Sequence, residues 1–201
     1  MKLSKYAQVA KRDQTCIVYT GDGMWLAARG AMYRADGLPE IHGKDQVAAI
    51  LSISEKKVEQ MVFREVDLRE EPSTLCLDDW TNEEMPAQDV EIQACKDGRM
   101  YKALVAKDGE LLFYEQRYLD PLLDDFKDGN YKVLMVRRMP NGAPYIAVKN
   151  GLELLALVMP VQLLDERYME ELRNFTALCA GQRIRERNRK NEMTEEEEND
   201  D

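Results

Sequence analysis

This sequence of 201 residues has one histidine and none of the short motifs that mark common catalytic or nucleotide-binding sites. HExxH, GxSxG, Walker and GxGxxG patterns are all absent. The histidine, His42, lies in a Pro-Glu-Ile-His-Gly loop, where a surface role is usual. The adjacent acids Asp78-Asp79 and Asp124-Asp125 point apart on a helix or strand, so they do not suit a shared metal ion. We therefore expect no enzymatic activity, no metal site and no cofactor. An enzyme that uses carboxylates in an unfamiliar arrangement is the weaker alternative.

Long apolar runs and closely spaced cysteines are also missing. No run of about 18 apolar residues exists, so no membrane-spanning helix is expected. Residues 1–14 lack the apolar core of a signal peptide. The four cysteines are far apart, which favours reduced thiols over a disulfide framework. We expect a cytoplasmic protein.

Negative charge is concentrated at the C-terminus. The formal net charge is −10, and residues 191–201 hold seven acidic residues and no basic ones, which predicts a disordered acidic tail. Residues 1–190 are nearly balanced, so charge alone neither requires nor excludes nucleic acid. The best candidates for nucleic-acid contact form a basic run: Arg183, Arg185, Arg187, Arg189 and Lys190. A solvated helix end is the alternative.

The clearest pattern of elements occupies residues 108–163. A short strand over 110–114 precedes an apolar stripe at helical spacing over 115–127, in which Pro121 suits the first turn of a helix. The turn signals Pro140-Asn141-Gly142 and Asn150-Gly151 then separate three predicted strands. These strands cover 131–138, 143–149 and 152–159.

The first half of the chain is less regular. We predict strands over 14–20 and 24–29, a short helix within 30–41, and strands over 47–53 and around 58–68. Residues 1–13 are either a short helix or an edge segment. The acidic stretch 69–89 is predicted to be a linker that Leu75, Leu77 and Trp80 attach to the body; a partner-binding peptide is the alternative. Strands over 90–95 and 99–107 follow.

The two halves of the chain resemble each other. Asp22-Gly23 and Asp108-Gly109 each precede an apolar strand, and Tyr33 and Tyr118 follow at similar distances, with an offset of about 86 residues. This echo predicts two β-α-β-β-β halves, about 14–68 and 90–163. Together they would form one α+β domain with two helices on one face of antiparallel sheets.

The stretch from Tyr118-Leu119-Asp120 through Leu122-Leu123 to the segment Val158-Met159-Pro160-Val161-Gln162-Leu163 resembles the last half-domain of the bacterial sliding clamp, the DNA polymerase III beta subunit. The resemblance implies a clamp-like domain over 1–163 and a non-enzymatic role in DNA replication. In that family, six domains form a ring around DNA, and the closing Met-Pro peptide forms part of a groove for partner peptides. The groove residues implied here are Val158, Met159, Pro160, Val161 and Leu163.

This chain departs from the family in size, charge and length. It has room for one clamp-like domain, so a ring would need about six copies, a homo-oligomer. Its predicted helices carry little excess positive charge for contact with DNA. A phage or mobile-element regulatory or assembly protein that keeps the fold without encircling DNA is therefore the alternative function.

The chain also continues beyond Leu163. Residues 164–190 are predicted to form a helix with a basic end. Its apolar face (Leu164, Tyr168, Leu172, Phe175 and Cys179) either completes the core or folds over the groove and blocks it.

Overall fold

The computed structural model describes residues 1–21, 23–126, 132–163, 168–182 and 185. The protein has an α+β fold in which helices cover one mixed sheet of ten strands. The α-helices are α1 (Leu3–Asp13), α2 (Gly43–Leu51), α3 (Glu55–Glu59) and a C-terminal helix over 168–182, and a 3₁₀ helix spans Gln116–Phe126. The strands are β1 (Thr15–Thr20), β2 (Trp25–Ala27), β3 (Ala31–Arg34), β4 (Val62–Asp67), β5 (Met85–Lys96), β6 (Arg99–Ala106), β7 (Leu111–Glu115), β8 (Lys132–Arg138), β9 (Pro144–Asn150) and β10 (Glu153–Val158).

The sheet order is β4-β1-β2-β3-β10-β9-β8-β5-β6-β7. Only the β1–β4 pair is parallel; the other pairs of neighbouring strands are antiparallel. At the centre, β3 pairs with β10 in the register Tyr33↔Ala156, Met32↔Leu157 and Ala31↔Val158. The central pair therefore joins the first third of the chain to its last strand.

A helix followed by a three-stranded meander occurs twice. The first copy is α1-β1-β2-β3, and the second is the 3₁₀ helix followed by β8-β9-β10. The strands of the two copies meet at the antiparallel β3–β10 pair. In the order β1-β2-β3-β10-β9-β8, each copy therefore has its first strand outermost and its third strand at the centre. The helices are neighbours, because the Lys2 N–H donates to the Pro121 carbonyl at 2.7 Å. This arrangement has the topology of an approximate two-fold repeat.

The duplication predicted from the Asp-Gly echo is therefore wrong in its alignment. Tyr33 lies in β3 and starts no helix, and 43–51 is helical where a strand was predicted over 47–53. Val47, Ala48 and Leu51 are buried at the spacing of a helix. In the sequence, this apolar run is too short to distinguish a helix from a strand. The first half is thus not a β-α-β-β-β unit. The second half has that order, as β7, the 3₁₀ helix, β8, β9 and β10.

Three apolar clusters hold these layers together. The largest lies between the sheet and the helices α1, α2, α3 and 3₁₀, with Tyr6, Tyr33, Leu122 and Val136 fully buried in it. The second lies on the opposite face of the central strands, where Leu75 and Leu77 pack as predicted. Trp80 is 61% exposed, so its predicted anchoring role is wrong. The third cluster covers β6 and β7 and includes Met169 and Leu172 of the C-terminal helix.

Candidate functional site

The segment that leaves β10 crosses to the far edge of the sheet. The Met159 N–H donates to the Gly30 carbonyl at 2.9 Å, and the Val161 N–H donates to the Phe113 carbonyl at 2.7 Å. Because β10 is central and β7 is terminal in the strand order, the sheet must curl to bring these groups together. The segment over 159–163, here called the Met-Pro segment, therefore lies against the edge of β7.

A groove of about 660 Å³ opens at this junction. Its floor is β7, and its walls are the Met-Pro segment, the β8–β9 turn and the C-terminal helix. This volume falls within the usual range for ligand sites, about 300–1,000 Å³. The lining residues are Glu110, Leu111, Leu112, Phe113, Ala143, Pro144, Met159, Pro160, Val161, Gln162, Met169, Glu170 and Arg173.

Three of the five groove residues implied by the resemblance lie in this lining: Met159, Pro160 and Val161. Val158 is fully buried and belongs to the helix-side core. Leu163 packs against the third cluster beside the groove. That these residues bind a partner peptide stays a prediction.

The C-terminal helix forms one wall of the groove. Met169, Glu170 and Arg173 line the groove, while Met169 and Leu172 pack against the cluster that contains Phe113. The predicted apolar face of this helix was misplaced, since Tyr168 and Phe175 are 58% and 59% exposed. Leu164 lies outside the described residues.

The groove is lined mainly by apolar residues, with Glu110, Glu170 and Arg173 as the charged residues of its lining. Glu110 is neutralised by Arg138, whose Nη2 donates to Glu110 Oε2 at 2.7 Å. At the helix wall, Glu170 and Arg173 are separated by about one helical turn and lie on the same side. An apolar segment with a charged residue near one end would match this lining.

Sequence reasoning missed a buried ionic network on the opposite face of the sheet. Glu84 Oε2 accepts hydrogen bonds from Arg137 at 2.6 and 2.9 Å, and Glu84 Oε1 accepts from Lys149 Nζ at 2.8 Å. Arg137 also donates to the carbonyls of Cys76, Asp78 and Asp79. The three ionised side chains are at most 4% exposed. They hold the stretch 76–84 on the sheet, so much of the predicted linker is a fixed part of the domain.

The lysines of the helical face lie among acidic residues. Helix α1 and the residue before it provide Lys2, Lys5, Lys11 and Arg12, of which Lys2 pairs with Asp124, and α3 adds Lys56 and Lys57 between Glu55 and Glu59. Lys11 and Lys57 line one small depression, which places the two helices side by side. Of the two helices predicted to carry little positive charge, the one within 30–41 contains strand β3 and is not a helix, whereas the one over 115–127 is the 3₁₀ helix and holds Arg117 against Asp120, Asp124 and Asp125.

The predicted basic run lies mostly outside the described residues. Arg185 is helical and exposed, whereas Arg183, Arg187, Arg189 and Lys190 fall outside them. Contact of this run with nucleic acid stays a prediction.

Within the part of the chain that the structure describes, no three acidic, histidine or cysteine side chains are grouped to hold a metal ion. The helices of that part include none that is both long and apolar enough to cross a membrane.

Comparisons of the chain with protein-family models, with curated protein sequences and with solved structures gave no match. The function must therefore be argued from the geometry of the site.

Proposed function

We propose that this chain is a non-enzymatic, clamp-like protein that binds a short segment of a replication protein, or of another partner, in the groove beside Met159. The observation that carries this proposal is that Met159, Pro160 and Val161 form one wall of an apolar groove of about 660 Å³. Apolar grooves with a few charged groups at the rim are typical sites for short peptide motifs.

The repeated helix-and-meander unit supports the clamp-like fold. The resemblance implies a domain of two similar halves with their helices on one face, and here α1 and the 3₁₀ helix lie on one face of a sheet whose central strands meet antiparallel. The Met-Pro segment directly follows the last strand of the second unit. The repeated unit of the fold and the position of the groove are thus two observations that support the proposed likeness to the sliding clamp.

Fluorescence polarisation tests the groove. The probe is a fluorescein-labelled peptide with the clamp-binding motif of a bacterial replicative polymerase. We expect saturable binding with a Kd of about 1–100 μM, corresponding to about 5–8 kcal/mol. Met159→Glu should weaken it at least tenfold, because it places a charge in the apolar wall. The matched control is Leu152→Glu, at a side chain 80% exposed outside the groove. An absence of binding to the native protein would rule out clamp-type specificity.

DNA is a second candidate ligand, for which lysines of α1 and α3 are the candidate contacts. Lys5, Lys11, Lys56 and Lys57 lie on the helices that cover one face of the sheet. Each lysine that contacts a phosphate releases a counterion, so four would give a slope of log K against log salt of about −3 to −4.

The double variant Lys56→Glu/Lys57→Glu should reduce the magnitude of this slope by about 2. Lys96→Glu/Lys107→Glu, on exposed positions of the β5–β6 region, is the matched control. An equal loss in both variants would mean that the helical face is not the contact surface.

The oligomeric state separates the two forms of the proposal. A ring of six clamp-like domains requires about six copies of this chain, and light scattering after size exclusion measures that mass directly. A monomer or dimer that still binds peptide would favour the alternative, a regulatory or assembly protein of a phage or mobile element that keeps the fold without encircling DNA.

A further inference from the structure

The wall that the C-terminal helix contributes to the groove carries two charged side chains. Met169, Glu170 and Arg173 line the groove from this helix. Because successive residues of an α-helix are about 100° apart around its axis, Arg173 is displaced by about 40° from Met169 and Glu170 by about 100°. Met169 and Leu172 pack against the third cluster. Arg173 therefore lies nearer than Glu170 to the apolar side of the helix.

The guanidinium of Arg173 is not used by the fold. Within the described part of the chain, it takes part in no hydrogen bond and no ion pair, and none joins it to Glu170. The remaining charged residue of the lining, Glu110, is already paired with Arg138. Arg173 is thus the one cation among the described residues that line the groove. Its side chain is exposed, so the five N–H donors of the guanidinium are open to a ligand.

We infer that the groove selects partner segments in which a carboxylate accompanies an apolar side chain, and that Arg173 binds this carboxylate. This inference rests on the proposed function and names the chemistry of the segment that the site takes. A guanidinium donates two parallel hydrogen bonds to a carboxylate, a geometry that the ammonium of a lysine does not offer. Met159, Pro160 and Val161 form another wall of the groove and provide the apolar surface for the neighbouring side chain.

Glu170 is the competing contact, because it would favour a basic residue. Two features place Arg173 first. It lies nearer to the apolar side of the helix, where a bound segment excludes more water, and a charge pair is stronger where water is excluded. Arginine is also enriched among the residues that contribute most to binding at protein interfaces, whereas glutamate is depleted there. The occupant is thus a short segment that is both apolar and acidic.

A display library of random nonapeptides tests this inference without an assumed motif. Selection uses the full chain, and peptides that also bind the Met159→Glu variant are removed. Enriched peptides should carry an aspartate or a glutamate close in sequence to a large apolar residue.

A charge-reversal cycle then identifies the contact. Arg173→Glu should weaken the enriched peptides about tenfold, and replacing the acid of the peptide by lysine should weaken binding to the native chain to a similar degree. The lysine peptide should bind Arg173→Glu more tightly than it binds the native chain. Arg173→Lys should keep only part of the affinity, because it retains the charge without the paired hydrogen bonds. Arg185→Glu, at an exposed helical position outside the lining, is the matched control and should change binding by less than about twofold.

The outcomes separate this inference from the proposed function. Peptides that require Met159 but carry no acid, or whose affinity Arg173→Glu leaves unchanged, would overturn the role of Arg173 and leave the groove proposal standing. Basic peptides that lose affinity on Glu170→Gln would overturn it in favour of Glu170. A library without Met159-dependent binders would overturn both.

Discussion

The hydroxyl of Tyr33 donates a hydrogen bond of 2.8 Å to the backbone carbonyl of Tyr118, and both side chains are buried. Tyr118 in turn donates to Asp13 Oδ2 at 3.0 Å. The two tyrosines therefore connect β3, the 3₁₀ helix and the end of α1, where the repeated units meet. The sequence echo treated them as equivalent positions of a repeat, but they are partners across its junction.

Replacing Tyr33 by Phe should destabilise the domain by about 1–3 kcal/mol. The change keeps the ring in the core and leaves the Tyr118 carbonyl without its donor. Chemical denaturation measures the difference. Tyr19→Phe is the control, since no hydrogen bond joins the Tyr19 hydroxyl to a described residue and its side chain is only partly buried. Equal losses in both variants would show that the hydroxyl at the junction has no special role.

Gly30→Ala should cost about 1–3 kcal/mol through overpacking. A Cβ atom at Gly30 would lie 2.7–2.8 Å from the ring and hydroxyl of Tyr118, whose side chain is fixed by Asp13. Gly181→Ala, in the C-terminal helix, has nothing within 4 Å of the new Cβ and should be neutral or stabilising. Thermal unfolding of both variants checks the contrast. A Gly30→Ala protein as stable as the native chain would mean that Tyr118 moves freely.

Glu84→Gln should be the most damaging single change in the buried network, at about 3–5 kcal/mol. It removes the one carboxylate between two buried cations, whereas Lys149→Met leaves Arg137 paired with Glu84. We therefore expect Lys149→Met to cost less than Glu84→Gln. The exposed neighbour provides the control Glu83→Gln, expected within about 0.5 kcal/mol of the native chain. Denaturation curves give the order, and limited proteolysis should show 69–84 released only in Glu84→Gln.

Stability should fall as pH rises from about 10 to 12. Burial, reinforced by the Asp13 carboxylate, raises the pKa of Tyr118 to about 12, from about 10 in an unfolded chain. A raised folded pKa means that the neutral phenol is favoured in the fold, so its contribution is complete below pH 10 and is lost toward pH 12. Burial also raises the pKa of Tyr6, Tyr33 and Tyr114.

The variant Tyr118→Phe isolates this residue. Its unfolding free energy should fall less steeply between about pH 10 and 12, by up to about one proton in the slope. In a pH titration, phenolate absorbance should rise at a higher pH in the folded native protein than in the unfolded chain. A slope identical to that of the native protein would contradict a raised pKa at Tyr118.

The second half of the fold was predictable because its turns are marked in the sequence. Asn150-Gly151 and Pro140-Asn141-Gly142 separate strands whose bounds agree within about two residues with the prediction. The short apolar run of α2 gave no such signal, since a helix and a strand read alike over so few residues. Strand β3 depends on pairing with β10, a contact that local pattern does not contain. The predicted duplication of two β-α-β-β-β halves was wrong for this reason, and the structure repeats a helix followed by a three-stranded meander instead.

Part of the groove lining was predicted from the sequence. Met159, Pro160 and Val161 were among the expected groove residues, but their contact with β7 arises only because the sheet curls. The ionic network was hidden because its carboxylate, Glu84, lies in a stretch without periodicity. Its cations did leave a trace: Arg137 and Lys149 lie on the same strand faces as Met135 and Ala147, which are apolar. Charged residues on an apolar face indicate that a buried partner must come from elsewhere in the chain.

Removing the C-terminal helix distinguishes a groove wall from a groove blocker. The sequence allowed a helix that folds over the groove, and the structure places it alongside an open space of about 660 Å³ to which it contributes Met169, Glu170 and Arg173. A chain that ends at Leu163 should therefore bind the fluorescein-labelled clamp-motif peptide at least tenfold more weakly, because one wall of the groove, with Met169, is lost. Circular dichroism verifies that the shortened chain is folded.

In the full chain, Met169→Glu should reproduce the loss and Phe175→Glu, at an exposed position outside the lining, should not. Tighter binding by the shortened chain would instead identify the helix as an inhibitor of the groove.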